Sequence, residues 1–124
     1  MDAFTLAYLE AALWSSTDPD TGDFLDKEYG VHDIAPATLE QMVADCKKFQ
    51  DDNVHFIADH NCKYKGCPVE EYAGHDLWLT RNHHGCGYFD GDWEENAGEA
   101  LTNAASKFKE VELYVGDDGL IYGM

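Results

Sequence analysis

The sequence predicts a single α+β domain in which helices pack on a four-stranded antiparallel sheet. Three observations lead to this fold class. Apolar residues recur at helical spacing in three segments, two short segments have the alternation or composition of strands, and each of these is followed by a turn containing glycine. The predicted order is helix, helix, hairpin, helix, hairpin, which places the helices as a layer on one sheet.

The first two helices are predicted from apolar residues spaced three and four apart. The segment 4–14 carries two neighbouring rows of apolar side chains, so we expect this helix to be largely covered. A second helix begins at Pro36, because proline is preorganised for the first helical position, and it is expected to run to about Phe56. Its stripe comprises Leu39, Met42, Val43, Cys46 and Phe49. On that stripe Cys46 is expected to be a small core residue.

Residues 75–89 predict the first hairpin. Between His75 and Arg81 two sets of side chains alternate with the period of a strand. Positions 82–85 then form a turn in which Gly85 takes a positive φ, and Cys86–Phe89 returns as the second strand.

The predicted hairpin determines where its polar side chains should lie. His75 and Asp76 would point to opposite faces of the strand, which makes them a poor catalytic pair. Trp78 would be buried in the core, and Arg81 would close the hairpin over Asp76 or Asp90.

A third helix and a second hairpin complete the predicted fold. The helix is entered at Asp92 or Trp93, and its shared face comprises Ala97, Leu101, Ala104, Ala105 and Phe108. Val111–Val115 is predicted as a strand, residues 116–119 as a tight turn, and Leu120–Tyr122 as a short final strand.

The length of 124 residues predicts one globular domain, residues 1–124, with a single core. Its aromatic content of 13% favours a folded chain over a disordered acidic one. Because the sequence shows neither a secretory signal nor a membrane span, we expect a cytosolic protein, and its four cysteines are not expected to form disulfides there.

Charge is the dominant compositional feature. Twenty-five acidic residues against eight basic ones give a net charge of −17, which repels nucleic acid and anionic membranes and attracts basic surfaces. Ten of the acids lie within residues 1–46, where only Lys27 opposes them. The acidic loop at about 15–35 is therefore the predicted partner-binding segment, with Phe24 and Tyr29 as aromatic anchors. Its proposed contact residues are Asp18, Asp20, Asp23, Phe24, Asp26, Glu28, Tyr29 and Asp33.

Two kinds of site chemistry are alternatives to this binding hypothesis. A structural zinc site would use His60, Cys62, Cys67 and His75, but a single Cys-x4-Cys spacing is a weak zinc signal. A small hydrolytic enzyme would be centred on His75, Arg81 and His84, yet no nucleophile lies at a spacing that implies a base beside it. The sequence therefore predicts a protein that is not an enzyme and has no metal or other cofactor.

Four stretches carry a resemblance to a known family: LWSSTD, DIAPATLEQMVADCKKF, AGHDLWLTRNHHGCGYFDGDW and ELYVGDDGLIY. In this order they resemble a widespread family of small, acidic proteins of tailed bacteriophages with a GHDxWLTRNxHGxG core, and the resemblance covers the chain from about Leu6 to Tyr122. In that family the position of Cys86 is often alanine and that of His83 often glycine, and the segment 62–67 varies in length. The matching motif residues include His75, Asp76, Trp78, Arg81, Asn82 and His84.

The resemblance implies a phage origin and a location in the cytoplasm of an infected bacterium. With the charge, it favours a binding protein that inhibits a host or anti-phage-defence protein, acting as a DNA mimic on a basic nucleic-acid-binding surface. Such a protein would bind neither nucleic acid nor membrane itself. The alternatives are the zinc-stabilised module or hydrolase described above, and an accessory or structural component of the phage.

Overall fold

Four α-helices and one short hairpin build the fold in the computed structural model, which describes residues 1–123. The helices are α1 (Ala3–Ser15), α2 (Pro36–Asp52), α3 (Val69–Arg81) and α4 (Glu95–Ser106). The two strands are β1 (Leu113–Val115) and β2 (Ile121–Gly123), and single 3-10 turns interrupt the connections at Leu25–Lys27, Val31–Asp33 and Asp59–Asn61. The α+β class is thus roughly right, but the predicted four-stranded sheet is wrong.

Helix α1 lies at the centre of the fold. It starts where the Asp2 carboxylate accepts a hydrogen bond from the Thr5 backbone N–H at 2.8 Å, which satisfies one free donor of the first turn. Eight of its thirteen residues are buried, because α2 and α3 both pack against it. Phe4 stacks on Phe49 of α2, and Tyr8 contacts Trp78 of α3 edge to face. The prediction of a largely covered first helix is confirmed.

Helix α2 begins at Pro36 as predicted and buries Met42, Cys46 and Phe49 of the predicted stripe, whereas Leu39 is half-buried and Val43 is exposed. It ends at Asp52, one turn before the predicted end. Asn53 accounts for the difference, because its buried side-chain amide donates to the Phe49 carbonyl at 2.8 Å and so satisfies an acceptor that the next helical turn would use.

The largest error concerns residues 75–81, which lie in α3 and not in a strand. The last half of this helix is buried on nearly every side, and a helix covered all round carries no 3.6-residue polar pattern. The apparent alternation therefore had no structural meaning. Gly74 permits this covering, since a Cβ there would lie 2.1 Å from the Phe4 carbonyl oxygen of α1.

The predicted returning strand, Cys86–Phe89, is also wrong. After α3 the chain makes a series of turns, and Gly85 has a positive φ of 82° as predicted. The next glycine, Gly87, has a φ of 150° and leaves room for the Thr80 hydroxyl, which accepts a hydrogen bond from the Tyr88 N–H at 3.2 Å. This loop is therefore attached to α3 through side chains and does not form a sheet ladder.

Helix α4 and the second hairpin are confirmed, although the helix ends at Ser106, before Phe108 of the predicted face, and each strand has only three residues. Glu94 caps α4 by accepting from the Ala97 N–H at 3.0 Å. Strands β1 and β2 pair antiparallel across the turn at 116–119, with Tyr114 opposite Tyr122. The Ala35 N–H donates to the Ile121 carbonyl at 2.8 Å, which fastens the hairpin to the start of α2.

Within the described part of the chain, no helix is both long enough and apolar enough to cross a bilayer.

Candidate functional site

The acidic loop is ordered by its own backbone. Thr17 and Phe24 form an antiparallel bridge, and the Asp18 N–H donates to the Asp23 carbonyl at 2.8 Å. A reverse bond from Gly22 to the Asp18 carbonyl, at 2.7 Å, closes the tip of the loop. Directly after this turn the buried Leu25 anchors the segment in the core. The loop therefore has a fixed backbone conformation.

Three of the predicted contact acids form hydrogen bonds or an ion pair within the loop. Asp18 accepts from the Asp20 N–H at 2.9 Å, and Asp23 forms an ion pair with Lys27 at 3.1 Å. Asp33 accepts from the Gly30 N–H at 2.8 Å and is only partly exposed. These carboxylates shape the loop and still contribute negative charge to it.

Four other residues of the predicted contact set are accessible to solvent. Asp20, Asp26 and Glu28 are exposed, and Phe24 keeps 55% of its surface in contact with solvent. Tyr29, by contrast, is half-buried and packs against the core. We call Asp20, Phe24, Asp26 and Glu28 the acidic-loop face.

The GHDxWLTRN segment serves to join α3 to its surroundings. The Trp93 indole N–H donates to the Asp76 carboxylate at 2.8 Å, and the Trp78 indole N–H donates to the Ser15 hydroxyl at 2.8 Å. The Asn82 side chain accepts from the Val111 N–H at 2.8 Å. Each of these polar side chains thus fixes a different segment against one helix.

Arg81 is the most connected of these side chains and is only 4% exposed. Its guanidinium donates to the Asp45 carboxylate at 2.9 Å, to the Tyr8 hydroxyl at 3.0 Å and to the Lys109 carbonyl. The predicted pairing with Asp76 or Asp90 is wrong, because α3 directs Arg81 toward α2. Trp78, in contrast, is buried as predicted.

The buried Asp76 carboxylate has an unusual protonation equilibrium. Burial raises its pKa from 3.8 to about 7, the Trp93 hydrogen bond opposes this shift, and the charges of Asp90 and Asp92 add to it. A titrating carboxylate at this depth is a feature of many catalytic sites. Here its one side-chain partner is the Trp93 indole, which indicates a packing role.

The three residues of the hydrolase hypothesis are not assembled into one site. Arg81 is buried and paired, whereas His84 is exposed and lines a shallow groove beside Asn82. His75 is half-buried and lies edge-on to the Trp14 ring, and it does not line that groove. The expectation that His75 and Asp76 lie on opposite faces of a strand is wrong, since both are on α3.

The cysteine thiols are poorly suited to nucleophilic or ligand chemistry. Burial raises the pKa of Cys46, Cys62, Cys67 and Cys86, so the thiols stay protonated near neutral pH. All four are free. Among residues 1–123 no three His, Cys, Asp or Glu side chains are grouped to hold a metal ion, so His60, Cys62, Cys67 and His75 do not form a ligand set there.

His83 is the only non-glycine residue with a positive φ, 56°, in the described chain. It occupies the first position after the α3 cap, where the His83 N–H bonds the Thr80 carbonyl and the His84 N–H bonds the Leu79 carbonyl. This pair of bonds is the Schellman motif, whose left-handed residue is usually glycine.

Replacing His83 by glycine is expected to raise the free energy of unfolding by about 1 kcal/mol, because glycine has no Cβ clash in the left-handed region. The exposed contact of His83 Nε2 with the Glu110 carboxylate contributes little against this gain. Urea unfolding followed by circular dichroism measures the change. The matched variant His84→Gly should be neutral or destabilising, and an equal gain from both variants would contradict the explanation.

The surface of the protein carries far more negative than positive charge. Three of the eight basic side chains, Lys27, Lys47 and Lys48, form ion pairs with an aspartate four residues away in the chain, and Arg81 is buried. Few cations therefore remain to offset the exposed carboxylates, and the molecule presents a negative surface.

Comparison with known proteins gave no further assignment. No family model, no curated protein and no solved structure matches the chain.

Proposed function

We propose that this is a phage-encoded acidic binding protein that occupies the basic nucleic-acid-binding surface of a bacterial host or defence protein. The observation that carries the proposal is the net charge of −17 on a small ordered domain whose exposed lysines are partly neutralised. Long-range attraction brings a partner with the opposite potential to the protein, and surface carboxylates then compete with nucleic acid phosphates. The protein acts in the cytoplasm of the infected cell.

The acidic-loop face is the proposed centre of this contact. Its carboxylates are held on a backbone with internal hydrogen bonds, so binding costs little conformational entropy. Phe24 supplies a large apolar anchor among the charges, and aromatic residues that become buried at an interface often dominate its affinity. Together these features fit a basic surface that has an apolar recess.

Affinity capture from bacterial lysate tests the proposal. The tagged protein should retain a nucleic-acid-binding enzyme or defence complex at about 0.1 M salt and release it at about 1 M, where the screening length is about 3 Å. Added duplex DNA should reduce the captured amount about tenfold, because it competes for the same surface.

A pair of variants of equal charge locates the contact. The variant Asp20→Asn, Asp26→Asn, Glu28→Gln removes three carboxylates from the acidic-loop face, so the net charge changes from −17 to −14. The control Glu10→Gln, Glu40→Gln, Glu112→Gln makes the same change at exposed positions elsewhere. Only the first variant should lose the partner. Salt-insensitive capture, or equal loss with both variants, would show that the acidic-loop face does not mediate binding.

A further inference from the structure

A second surface combines apolar side chains with negative charge. A groove of about 410 Å³ runs between the loop after α3 and the first turns of α4. Its lining is mainly apolar and includes Tyr88, Phe89, Trp93, Gly98 and Thr102. We call it the α4 groove. Its volume lies within the range of about 300–1,000 Å³ that is typical of ligand pockets.

The floor of the α4 groove is rigidly supported. Trp93 is held by its bond to Asp76, and the Tyr88 hydroxyl donates to the Ala73 carbonyl at 2.6 Å. Gly98 lets α4 approach closely, since a Cβ there would lie 2.8 Å from the Tyr88 carbonyl oxygen. A buried carboxylate of the GHDxWLTRN segment therefore positions the groove, although it does not line it.

Phe89 stands at the edge of this groove with 55% of its surface exposed. Its exposure is not the result of a loose loop. The Gly87 N–H donates to the Asp90 carboxylate at 3.0 Å, and the Asp90 N–H donates back to the Gly87 carbonyl at 3.2 Å. An exposed aromatic residue on a loop with fixed ends loses little backbone freedom when a partner binds.

The surroundings of the α4 groove are strongly acidic. Glu95 and Glu99 line it and are exposed, and Asp90 is exposed in the adjoining loop. Lys63 is the single basic residue in its lining. The occupant that matches this charge is cationic around an apolar centre, because an acidic or neutral apolar segment would leave these carboxylates without compensation.

We propose that the α4 groove binds an aromatic or long apolar side chain presented by an arginine- or lysine-rich segment of a partner protein. The inference rests on the proposed function for the basic character of the partner. It adds a contact at which an apolar side chain, and not charge alone, selects the partner. The acidic-loop face attracts basic surfaces in general, whereas the groove discriminates among them.

A synthetic arginine-rich peptide with one central tryptophan tests the proposal on the intact protein. Titration is followed by ¹H–¹⁵N NMR, in which the Trp93 indole N–H and the amides of Gly91 and Gly98 report on the groove. We expect these signals to shift and the peptide to bind at least about tenfold more tightly than the same peptide with serine in place of tryptophan.

Two substitutions of exposed aromatic residues serve as a matched pair. Phe89→Ser should lower the affinity for the tryptophan peptide about fivefold or more. Tyr114→Ser, on the exposed side of β1, should change this affinity less than about twofold. Equal binding of the two peptides, shifts confined to the acidic-loop face, or no shift at all would overturn the proposal. Because the readout needs no cellular target, these outcomes are separate from failure of the capture experiment.

Discussion

Replacing Arg81 by alanine is expected to lower the free energy of unfolding by about 4 kcal/mol. The guanidinium bonds Asp45, Tyr8 and the Lys109 carbonyl, and it lies 5.1 Å from the centre of the Phe108 ring. Its removal leaves a partly buried carboxylate without its cation and a carbonyl without its donors, in addition to a cavity. Urea unfolding monitored by tryptophan fluorescence gives the change.

Two control variants distinguish the loss of the Arg81 hydrogen-bond network from the general effect of removing a positive charge. Arg81→Lys keeps the charge but lacks the planar fork that reaches three acceptors, so it should lose about 2 kcal/mol. Lys48→Ala removes an exposed cation paired with Asp52 and should leave the free energy of unfolding nearly unchanged, because solvent screens such surface pairs. A loss below about 1 kcal/mol for Arg81→Ala would mean that the buried network does not stabilise the fold.

Periodicity predicted the largely covered α1, from its two neighbouring apolar rows, and the helices that have one buried face and one solvent face. Helix α2 and helix α4 are of this kind, and both were found from their apolar stripes. The β1–β2 hairpin was found from its turn, since the segment 116–119 has the glycines and aspartates that a tight reversal needs. In these cases the local sequence contains the information that decides the structure.

Helix α3 was missed because its environment comes from distant segments. Most of its C-terminal half is buried, so no polar face remained to reveal a helical period. Other local signals did mark it: Pro68 precedes the first residue, Glu70 and Glu71 lie in the first turn, and Arg81 lies in the last. That order of charges complements the helix dipole, and it would have favoured a helix over a strand.

The candidate sites also divide into features that the local sequence predicts and features that depend on distant segments of the chain. The acidic loop was predicted from composition, but only the structure separates its exposed carboxylates from those that shape it, such as Asp33. The α4 groove was not predicted, because it is formed where the turn containing Phe89 meets α4. The partner of Arg81 was also unpredictable, since Asp45 lies 36 residues away in the chain.

Replacing Asp76 by asparagine is expected to remove a large part of the pH dependence of stability. Burial is the main cause that raises the Asp76 pKa from 3.8 to about 7. In the unfolded chain the carboxyl regains its ordinary pKa, so between about pH 4 and pH 7 the folded state binds more protons than the unfolded state. Stability from this group is therefore full below about pH 4, falls as pH rises, and is lost above about pH 7. At 1.36 kcal/mol per pH unit the fall is about 4 kcal/mol.

Urea unfolding of both proteins at a series of pH values measures this difference. Asparagine cannot ionise and retains an oxygen that accepts from the Trp93 indole, so the stability of Asp76→Asn relative to wild type should rise by several kcal/mol from pH 4 to pH 8. The control Asp26→Asn removes one exposed carboxylate and should run parallel to wild type, which separates Asp76 from the repulsion of a chain carrying −17 charges. If the stability of Asp76→Asn instead runs parallel to that of wild type over this pH range, the Asp76 carboxyl has the same pKa in the folded and the unfolded state. A rise confined to Asp76→Asn would show that the fold holds an ionisable carboxyl group in its core at an energetic cost that grows as the pH rises above about 4.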